Sequence, residues 1–352
     1  MIKIECISKE WILSVSKSKK ADKILTEKVI RALLLLEGLA KSNLNFVFKG
    51  GTALMLLLNS TKRLSIDIDI IVPDEEKDLI SIIEEVSKDA GFIRCEKQER
   101  KSSSKINKEH YKLFFESNIE GKESYVLLDI LKEKIHYNNV IYIPVSSSFV
   151  EFTGESINVK VPDYNNILGD KLTAFAPSTT GIPYFKGKKE MGMEIIKQMY
   201  DIGCLCDYAN NPEEISSVFS SFAEMEIHYR DIECSISDVL DDIIDNSLTI
   251  CLRGNYGKAD FNILSKGIIQ IKGFIFSESF HLEKAITYAA KATYIATLVK
   301  YKRKEIRKFD EKQILKMKDW LIKEPMNTKL NKLKKSNPEA FYYLYQVFEI
   351  VK

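Results

Sequence analysis

The hydrophobic pattern changes character along the chain. Apolar residues recur at helical spacing over residues 21–42, and short runs rich in β-forming residues follow at residues 46–49 and 65–72. Residues 52–59, between these two runs, and residues 75–92, after the second run, again show helical spacing. The pattern therefore predicts an amphipathic helix followed by the order strand, helix, strand, helix.

The middle of the chain is rich in strand-like runs, and the second half is rich in helical periodicity. The runs predict a mixed sheet of about five or six strands, and the polar stretch at residues 100–110 predicts a hairpin or loop between two of them. We therefore expect an α+β fold, with an α/β domain over residues 1–162 and a helical domain over residues 163–352. The strand-like runs lie at residues 92–97, 111–117, 124–132, 140–145 and 157–161.

The composition is that of an ordinary globular protein. The chain has 352 residues and is 45% hydrophobic, which is enough to form a sizeable core. Its longest apolar runs fall short of the roughly 20 residues that cross a bilayer, and its N-terminal residues lack the pattern of a signal peptide. The six cysteines are scattered, which is typical of reduced thiols. We expect a cytoplasmic protein without membrane segments.

Charge is nearly balanced overall but unevenly distributed. The net charge is +2, yet residues 207–245 contain eleven acids and one base, whereas residues 300–335 contain fourteen bases and five acids. Such a basic segment favours contact with a polyanion, and the acidic one with a basic partner. Solvated helix faces are the other interpretation of both segments.

Two adjacent glycines and two alternating aspartates carry the candidate chemistry. Gly50 and Gly51 lie at a predicted strand-to-helix turn, where the backbone can approach a phosphate and the helix N-terminus offers unpaired N–H groups. Asp67 and Asp69 are two residues apart on a predicted strand, so both side chains point to one face. Two carboxylates held together are stabilised by a cation between them, which favours a divalent metal such as Mg²⁺ beside a bound phosphate.

This order resembles the nucleotidyltransferase superfamily with the polymerase-β-like core, whose pattern is a glycine-rich turn, a helix and an apolar-flanked Asp-x-Asp. The fuller strings KGGTAL and RLSIDID resemble the AbiEii/AbiGii toxin family, the enzymes of type IV toxin–antitoxin and abortive-infection (phage defence) systems, which includes the MenT toxins. The resemblance covers roughly residues 45–208. The first motif of the family corresponds here to Gly50, Gly51, Thr52, Arg63, Ser65, Asp67 and Asp69.

Two further motifs lie downstream. The lysine that precedes an apolar helix in the family corresponds to Lys171, and the family's Lys-Asp-x-x-Asp-Leu helix motif places Lys197 and Asp201 at its lysine and second aspartate. Gln198 and Ile202 depart from that motif. On residue types alone, Lys197 and Asp201 at i and i+4 would also fit a surface ion pair, and Lys171 would fit a solvated lysine.

The superfamily often carries a third carboxylate on a later strand. Asp129 has the same apolar flanks as Asp67 and Asp69 and is the candidate. An acid at a strand end is the alternative interpretation.

The resemblance implies transfer of a nucleoside monophosphate from an NTP to an RNA hydroxyl, with the 3′ acceptor end of tRNA as the expected position. Mg²⁺ (or Mn²⁺) would be held by Asp67, Asp69 and Asp129, and a cognate antitoxin would reverse the growth arrest. Gly51, Thr52 and Ser65 would position phosphates and Lys171 would neutralise the triphosphate. Asp201 would orient Lys171 or accept the proton of the attacking hydroxyl.

Several alternatives remain open on sequence. The acceptor could be a small molecule or a protein hydroxyl, or the chain could be a non-catalytic nucleotide- or RNA-binding module or a structural partner in a defence complex. The basic residues 300–335 are the candidate contact with the tRNA backbone. The Gly/Pro-rich stretch at residues 177–190 contains three lysines and two aromatics. It could contact triphosphate, stack on nucleic acid or serve as a mobile connector.

Overall fold

The chain divides into two compact units. The computed structural model describes residues 1–42, 44–58, 62–73, 79–98 and 108–352. The first unit comprises Met1–Asp163 and Gly273–Ser279, and the second comprises Tyr164–Lys272 and Phe280–Lys352. The division after Asp163 lies next to the boundary expected near residue 162. The return of residues 273–279 to the first unit was not expected.

The first unit consists of a sheet, a two-stranded ribbon and four α-helices among its described residues. The helices are α1 (Lys9–Lys19), α2 (Lys23–Lys41), α3 (Gly50–Leu57) and α4 (Leu79–Asp89), preceded by a 3₁₀ turn at Ile4–Ile7. The strands are β1 (Val47–Lys49), β2 (Ile68–Val72), β3 (Arg94–Lys97), β4 (Lys108–Glu116), β5 (Glu123–Lys132), β6 (Val140–Pro144) and β7 (Asn158–Pro162).

The predicted mixed sheet has five strands, in the order β1-β2-β5-β4-β3. The β2–β5 pair is parallel and the other pairs are antiparallel. Strands β6 and β7 form a separate antiparallel ribbon, whereas the sequence pattern suggested that they join the main sheet. Most of the predicted polar loop at residues 100–110 lies outside the described residues, and β4 begins at Lys108.

Alternation along β5 separates a core face of the sheet from a polar face. Val126, Leu128 and Ile130 are buried, while the residues between them, Asp129 included, are partly exposed. Helix α2 begins at its cap Asp22, whose carboxylate accepts hydrogen bonds from two backbone N–H groups. The buried residues of α2 and the alternating residues of the sheet form the core of the unit.

The second unit is mainly helical, as the sequence pattern predicted. No helix among the described residues is long and apolar enough to cross a membrane. Its α-helices are α5 (Tyr164–Ala174), α6 (Gly192–Cys206), α7 (Pro212–Arg230), α8 (Ile236–Cys251), α9 (Phe261–Gln270), α10 (Leu282–Lys300), α11 (Leu333–Ser336) and α12 (Pro338–Val351). Strands β8 (Phe185–Lys186) and β9 (Lys189–Glu190) form a short hairpin, and 3₁₀ turns lie at Ile271–Gly273, Glu311–Gln313, Lys316–Asp319 and Thr328–Lys332.

A buried lysine joins three parts of the second unit. Lys291 on α10 is 4% exposed, and its Nζ lies 2.8 Å from Asp207 Oδ1, after α6, and 2.8 Å from Glu339 Oε1 on α12. Burial alone would lower the pKa of Lys291, but the two carboxylates outweigh burial and raise it above its ordinary value. The lysine is therefore charged and joins α10 to both carboxylates.

Lys291→Ala is expected to lower the free energy of unfolding by about 2 kcal/mol, because the variant loses charge-assisted hydrogen bonds from a buried ammonium to two partly exposed carboxylates. Lys304→Ala is the matched control, since the Lys304–Glu213 pair is exposed, with 82% and 66% of the two side chains accessible. Urea denaturation followed by circular dichroism measures both variants. Equal midpoints for Lys291→Ala and Lys304→Ala would contradict this account.

Candidate functional site

The two-glycine turn lies directly against one of the aspartates. Gly50 has φ +81°, in the left-handed region that favours glycine. A Cβ at this position would overlap the carboxylate of Asp69. A Cβ at Gly51 would lie 2.7 Å from both Arg63 Nη2 and Ser65 Oγ. Each glycine thus lets a polar side chain of the first motif approach the start of α3.

The side chain of Thr52 forms a hydrogen bond to the backbone just ahead of β2. Its hydroxyl donates a 2.6 Å hydrogen bond to the backbone oxygen of Asp67, and the residue is fully buried. The phosphate contact of Thr52 stays a prediction, and in this structure its buried hydroxyl holds the backbone at Asp67. Asp67 itself lies one residue before the start of β2 at Ile68.

The loop that carries the first motif is held by the returning segment 273–279. Arg63 forms an isolated antiparallel bridge with Ile275, and the N–H of Leu64 donates to the backbone oxygen of Phe274 at 2.7 Å. Ser277 donates to the backbone oxygen of Lys62 at 2.8 Å. Arg63 is only 8% exposed and donates to the carbonyl of Leu64, so it stabilises the loop from within.

A row of four polar side chains crosses the partly exposed face of the sheet. Asp69 on β2 pairs in register with Asp129 on β5. Lys49 on β1 is the partner of Asp69, and His110 on β4 is the partner of Asp129. In-register partners lie side by side on one face, so the two carboxylates are adjacent and are flanked by a lysine and a histidine.

The histidine of this row contacts the third carboxylate. His110 Nδ1 lies 2.7 Å from Asp129 Oδ1, and the side chains are 16% and 34% exposed, respectively. This contact fixes the rotamer of Asp129 while leaving its second oxygen to other partners. Sequence reasoning missed His110. Its alternation in β4 indicated the face that it shares, but the pairing with β5 depends on the sheet order.

The donor set fits a hard divalent cation that is completed by substrate. Within the described ranges, no group of three or more His, Cys, Asp or Glu side chains is arranged to hold a metal ion by itself. Mg²⁺ typically takes one or two carboxylates and fills its remaining positions with water and phosphate oxygens. The adjacent Asp69 and Asp129 carboxylates, with Asp67 just ahead of the strand, match that requirement.

The downstream motifs meet in a buried ion pair within the second unit. Lys171 Nζ on α5 lies 3.0 Å from Asp201 Oδ2 on α6, with 8% and 1% of the side chains exposed. The same ammonium donates to Gln198 Oε1 at 2.9 Å. Gln198, which departs from the family motif, is therefore a second anchor of the lysine. Lys197 lies on α6 and is partly exposed.

Comparison with known proteins identifies the family. The model of the AbiEii family, described as a nucleotidyl transferase toxin of type IV toxin–antitoxin systems, matches residues 34–265. The chain belongs to this AbiEii family. It is accordingly a nucleotidyltransferase toxin, and membership implies a nucleotide substrate and an antitoxin partner. No match was found among curated protein sequences.

Solved structures similar to this AbiEii protein include three proteins at low identity. MenT4, nucleotidyltransferase toxin Rv2826c from Mycobacterium tuberculosis H37Rv, is 11% identical with a TM-score of 0.46, over 97% of this chain and 99% of that one. JHP933 from Helicobacter pylori is 16% identical with a TM-score of 0.42, over 80% and 94%. An antigenic nucleotidyltransferase-like protein from Paracoccidioides brasiliensis is 15% identical with a TM-score of 0.35, over 59% and 92%.

Gly50→Ala is expected to reduce nucleotidyl transfer by about 100-fold, because the added Cβ displaces the Asp69 carboxylate and small displacements of reacting groups are costly. Gly121→Ala is the matched control. Gly121 has a similar φ of +64°, but no heavy atom lies within 4 Å of the added Cβ, so this variant has the backbone strain without the collision. Steady-state transfer rates of folded variants test the prediction, and equal losses in both variants would show that only backbone strain matters.

Proposed function

We propose that this toxin transfers a nucleoside monophosphate from an NTP to a hydroxyl of RNA and releases pyrophosphate. The observation that carries the proposal is the in-register pairing of Asp69 with Asp129 beside the Gly50 turn. In the reaction, the acceptor oxygen bonds to the α-phosphorus of the NTP and the bond to the pyrophosphate oxygen breaks. The hydroxyl proton is lost to a base or to solvent.

Asp67, Asp69 and Asp129 would hold Mg²⁺ (or Mn²⁺). When bound, such a cation stabilises charge on the entering and leaving oxygens of a phosphoryl displacement. The contribution of the chain is to fix the carboxylates. Thr52 holds the backbone at Asp67, Gly50 allows close approach of Asp69, and His110 orients Asp129.

The start of α3 would receive the phosphates. The extended backbone at Lys49 and the left-handed Gly50 open the N-terminus of this eight-residue helix, where unpaired N–H groups and the helix dipole favour anions. Gly51 keeps this approach clear of a side chain. Ser65 is partly exposed and its Oγ lies next to Gly51, so its hydroxyl is available to a phosphate oxygen.

Lys171 would neutralise the triphosphate and the leaving pyrophosphate. Its ammonium is held by Asp201 and Gln198, so little side-chain entropy remains to be lost on binding. The ion pair favours orientation of Lys171 as the role of Asp201, over proton acceptance, because Asp201 is 1% exposed. Lys197 on the same helix is assigned to substrate binding.

The acceptor we propose is RNA in the cytoplasm, with the 3′ end of tRNA as the favoured position. A cognate antitoxin would reverse the growth arrest that follows. Part of the basic segment is already neutralised within the second unit, since Lys300 pairs with Asp241 and Lys304 with Glu213. The segment that we propose to contact the RNA backbone is therefore residues 312–335. Exposed lysines without an ion-pair partner among the described residues remain there: Lys312, Lys316, Lys318, Lys323, Lys329, Lys332 and Lys335.

The deciding experiment incubates the purified protein with Mg²⁺, total tRNA and each α-³²P-labelled NTP in turn. We expect label on RNA from at least one NTP, and none with Asp69→Asn, because the amide removes a ligand charge. Asp89→Asn is the control, since this exposed acid on α4 lies outside the site. Absence of labelled RNA with every NTP, from folded protein that binds nucleotide, would exclude tRNA as the acceptor and direct the search to protein or small-molecule hydroxyls.

If Asp201 acts through Lys171, the two side chains form one unit in the kinetics. Lys171→Met is expected to lower kcat/KM strongly, and the double variant Lys171→Met/Asp201→Asn should be no slower, since residues that act together are non-additive. The double variant also leaves no unpaired buried charge, which separates a functional loss from unfolding. A double variant that is clearly slower than Lys171→Met, with an altered pH profile, would make Asp201 the base.

A further inference from the structure

The two aromatics in the connector between α5 and α6 have different environments. The hydroxyl of Tyr184 donates to Asn246 Oδ1 and accepts a 3.2 Å hydrogen bond from the N–H of Asp260. Phe185, the next residue, is 53% exposed. Tyr184 therefore fixes the base of the β8–β9 hairpin while Phe185 remains accessible on it.

Hydrogen bonds and an ion pair hold the hairpin and its preceding loop against neighbouring helices. Its preceding loop is held by Asp242 Oδ2, which accepts hydrogen bonds from the N–H of Ser178 at 2.8 Å and the hydroxyl of Thr179 at 3.0 Å. Arg230 donates to the backbone oxygen of Gly181 at 2.9 Å. On the other side, Glu190 forms an ion pair with Lys266 of α9 at 2.8 Å. The connector at residues 177–190 is therefore held in place by specific contacts, which argues against its interpretation as a mobile connector.

The start of α6 is locked to α9 as well. A Cβ on Gly192 would overlap the backbone oxygen of Ile263, and a Cβ on Gly267 would overlap the backbone oxygen of Gly192. The two backbones are in direct contact, which only glycines permit. The hairpin thus leads directly into the helix that carries Asp201, and it follows the helix that carries Lys171.

The exposed end of the hairpin combines an aromatic ring with uncompensated positive charge. Phe185 pairs with Glu190 and Lys186 with Lys189 across the two strands, and Gly187, with φ +63°, begins the turn. The side chains of Phe185, Lys186 and Lys188 are exposed, and none has a ring, ion-pair or hydrogen-bond partner within the described part of the chain. An exposed aromatic beside free lysines is the combination that binds single-stranded nucleic acid by stacking and charge.

We infer that the β8–β9 hairpin binds the single-stranded part of the RNA acceptor, with Phe185 stacking on an unpaired base and Lys186 and Lys188 contacting adjacent phosphates. This inference rests on the proposed transfer to RNA and specifies the part of the RNA that is recognised. Bases that are unstacked and accessible occur in single-stranded ends and loops. A rigid mount keeps the ordering cost of such a contact low.

The test measures binding of a short fluorescent single-stranded RNA, and of a blunt RNA duplex, by fluorescence anisotropy. Phe185→Ala in the full chain is expected to weaken single-strand binding by about tenfold, as loss of one stacked base does, with little change for the duplex. Phe185→Trp should keep wild-type affinity because the stacking face is preserved. Tyr142→Ala, at an aromatic in the first unit that is 65% exposed, is the matched control and should bind normally.

The contribution of Lys186 and Lys188 is tested by the salt dependence of RNA binding. Replacing both Lys186 and Lys188 with Ala should reduce the slope of log K against log salt by roughly 0.7 for each lost phosphate contact with a single strand. Wild-type affinity and salt slope in Phe185→Ala and in the double lysine variant would overturn the inference. So would equal losses for single strand and duplex in Phe185→Ala.

The labelling assay separates this inference from the proposed function. If the wild type labels RNA and Phe185→Ala does so with an unchanged KM for RNA, the hairpin has another role and the function stands. If the wild type labels no RNA, the proposed function fails. A raised KM for RNA in Phe185→Ala, with an unchanged KM for NTP, is the expected result.

Discussion

The parallel pairing of β2 with β5 creates the constraint on which the site depends. It places Asp69 and Asp129 side by side on a partly exposed face, where two negative charges repel each other. Side chains of the flanking strands offset that repulsion. Lys49 lies beside Asp69, and His110 contacts Asp129. The glycine turn and the Thr52 hydrogen bond then fix the adjoining backbone. The positions of the carboxylates are therefore set by contacts within the chain itself.

In the second unit, a positive charge is held in place by neighbouring side chains. Lys171 is buried but keeps two oxygen partners, on Asp201 and Gln198. A buried ammonium without such partners would destabilise the helices. This AbiEii chain thus combines adjacent carboxylates on a sheet with a lysine held between two helices. Both charged groups are fixed by neighbouring side chains.

Local sequence pattern predicted much of the fold and of the candidate site. The remaining features depend on strand topology and helix packing. The glycine pair, the Asp-x-Asp strand and the helical second half were readable because turn chemistry and periodicity are local properties. Asp129 was found through its apolar flanks. The contact of His110, the separate β6–β7 ribbon and the buried position of Thr52 depend on which strands pair and on how α3 packs. Gln198 looked like a departure from a motif, and only its distance from Lys171 reveals its role. Residues 273–279 carried no signal, because a bridge such as that between Arg63 and Ile275 is entirely non-local.

That bridge has a consequence for synthesis of the toxin. The loop with Arg63 and Ser65 gains its backbone partners, Phe274 and Ile275, only after more than a hundred further residues of the second unit have been translated. A chain that terminates before residue 273 therefore lacks the backbone partners of the loop that carries Arg63 and Ser65. Prematurely terminated chains of this toxin are consequently incomplete at the loop of the first motif.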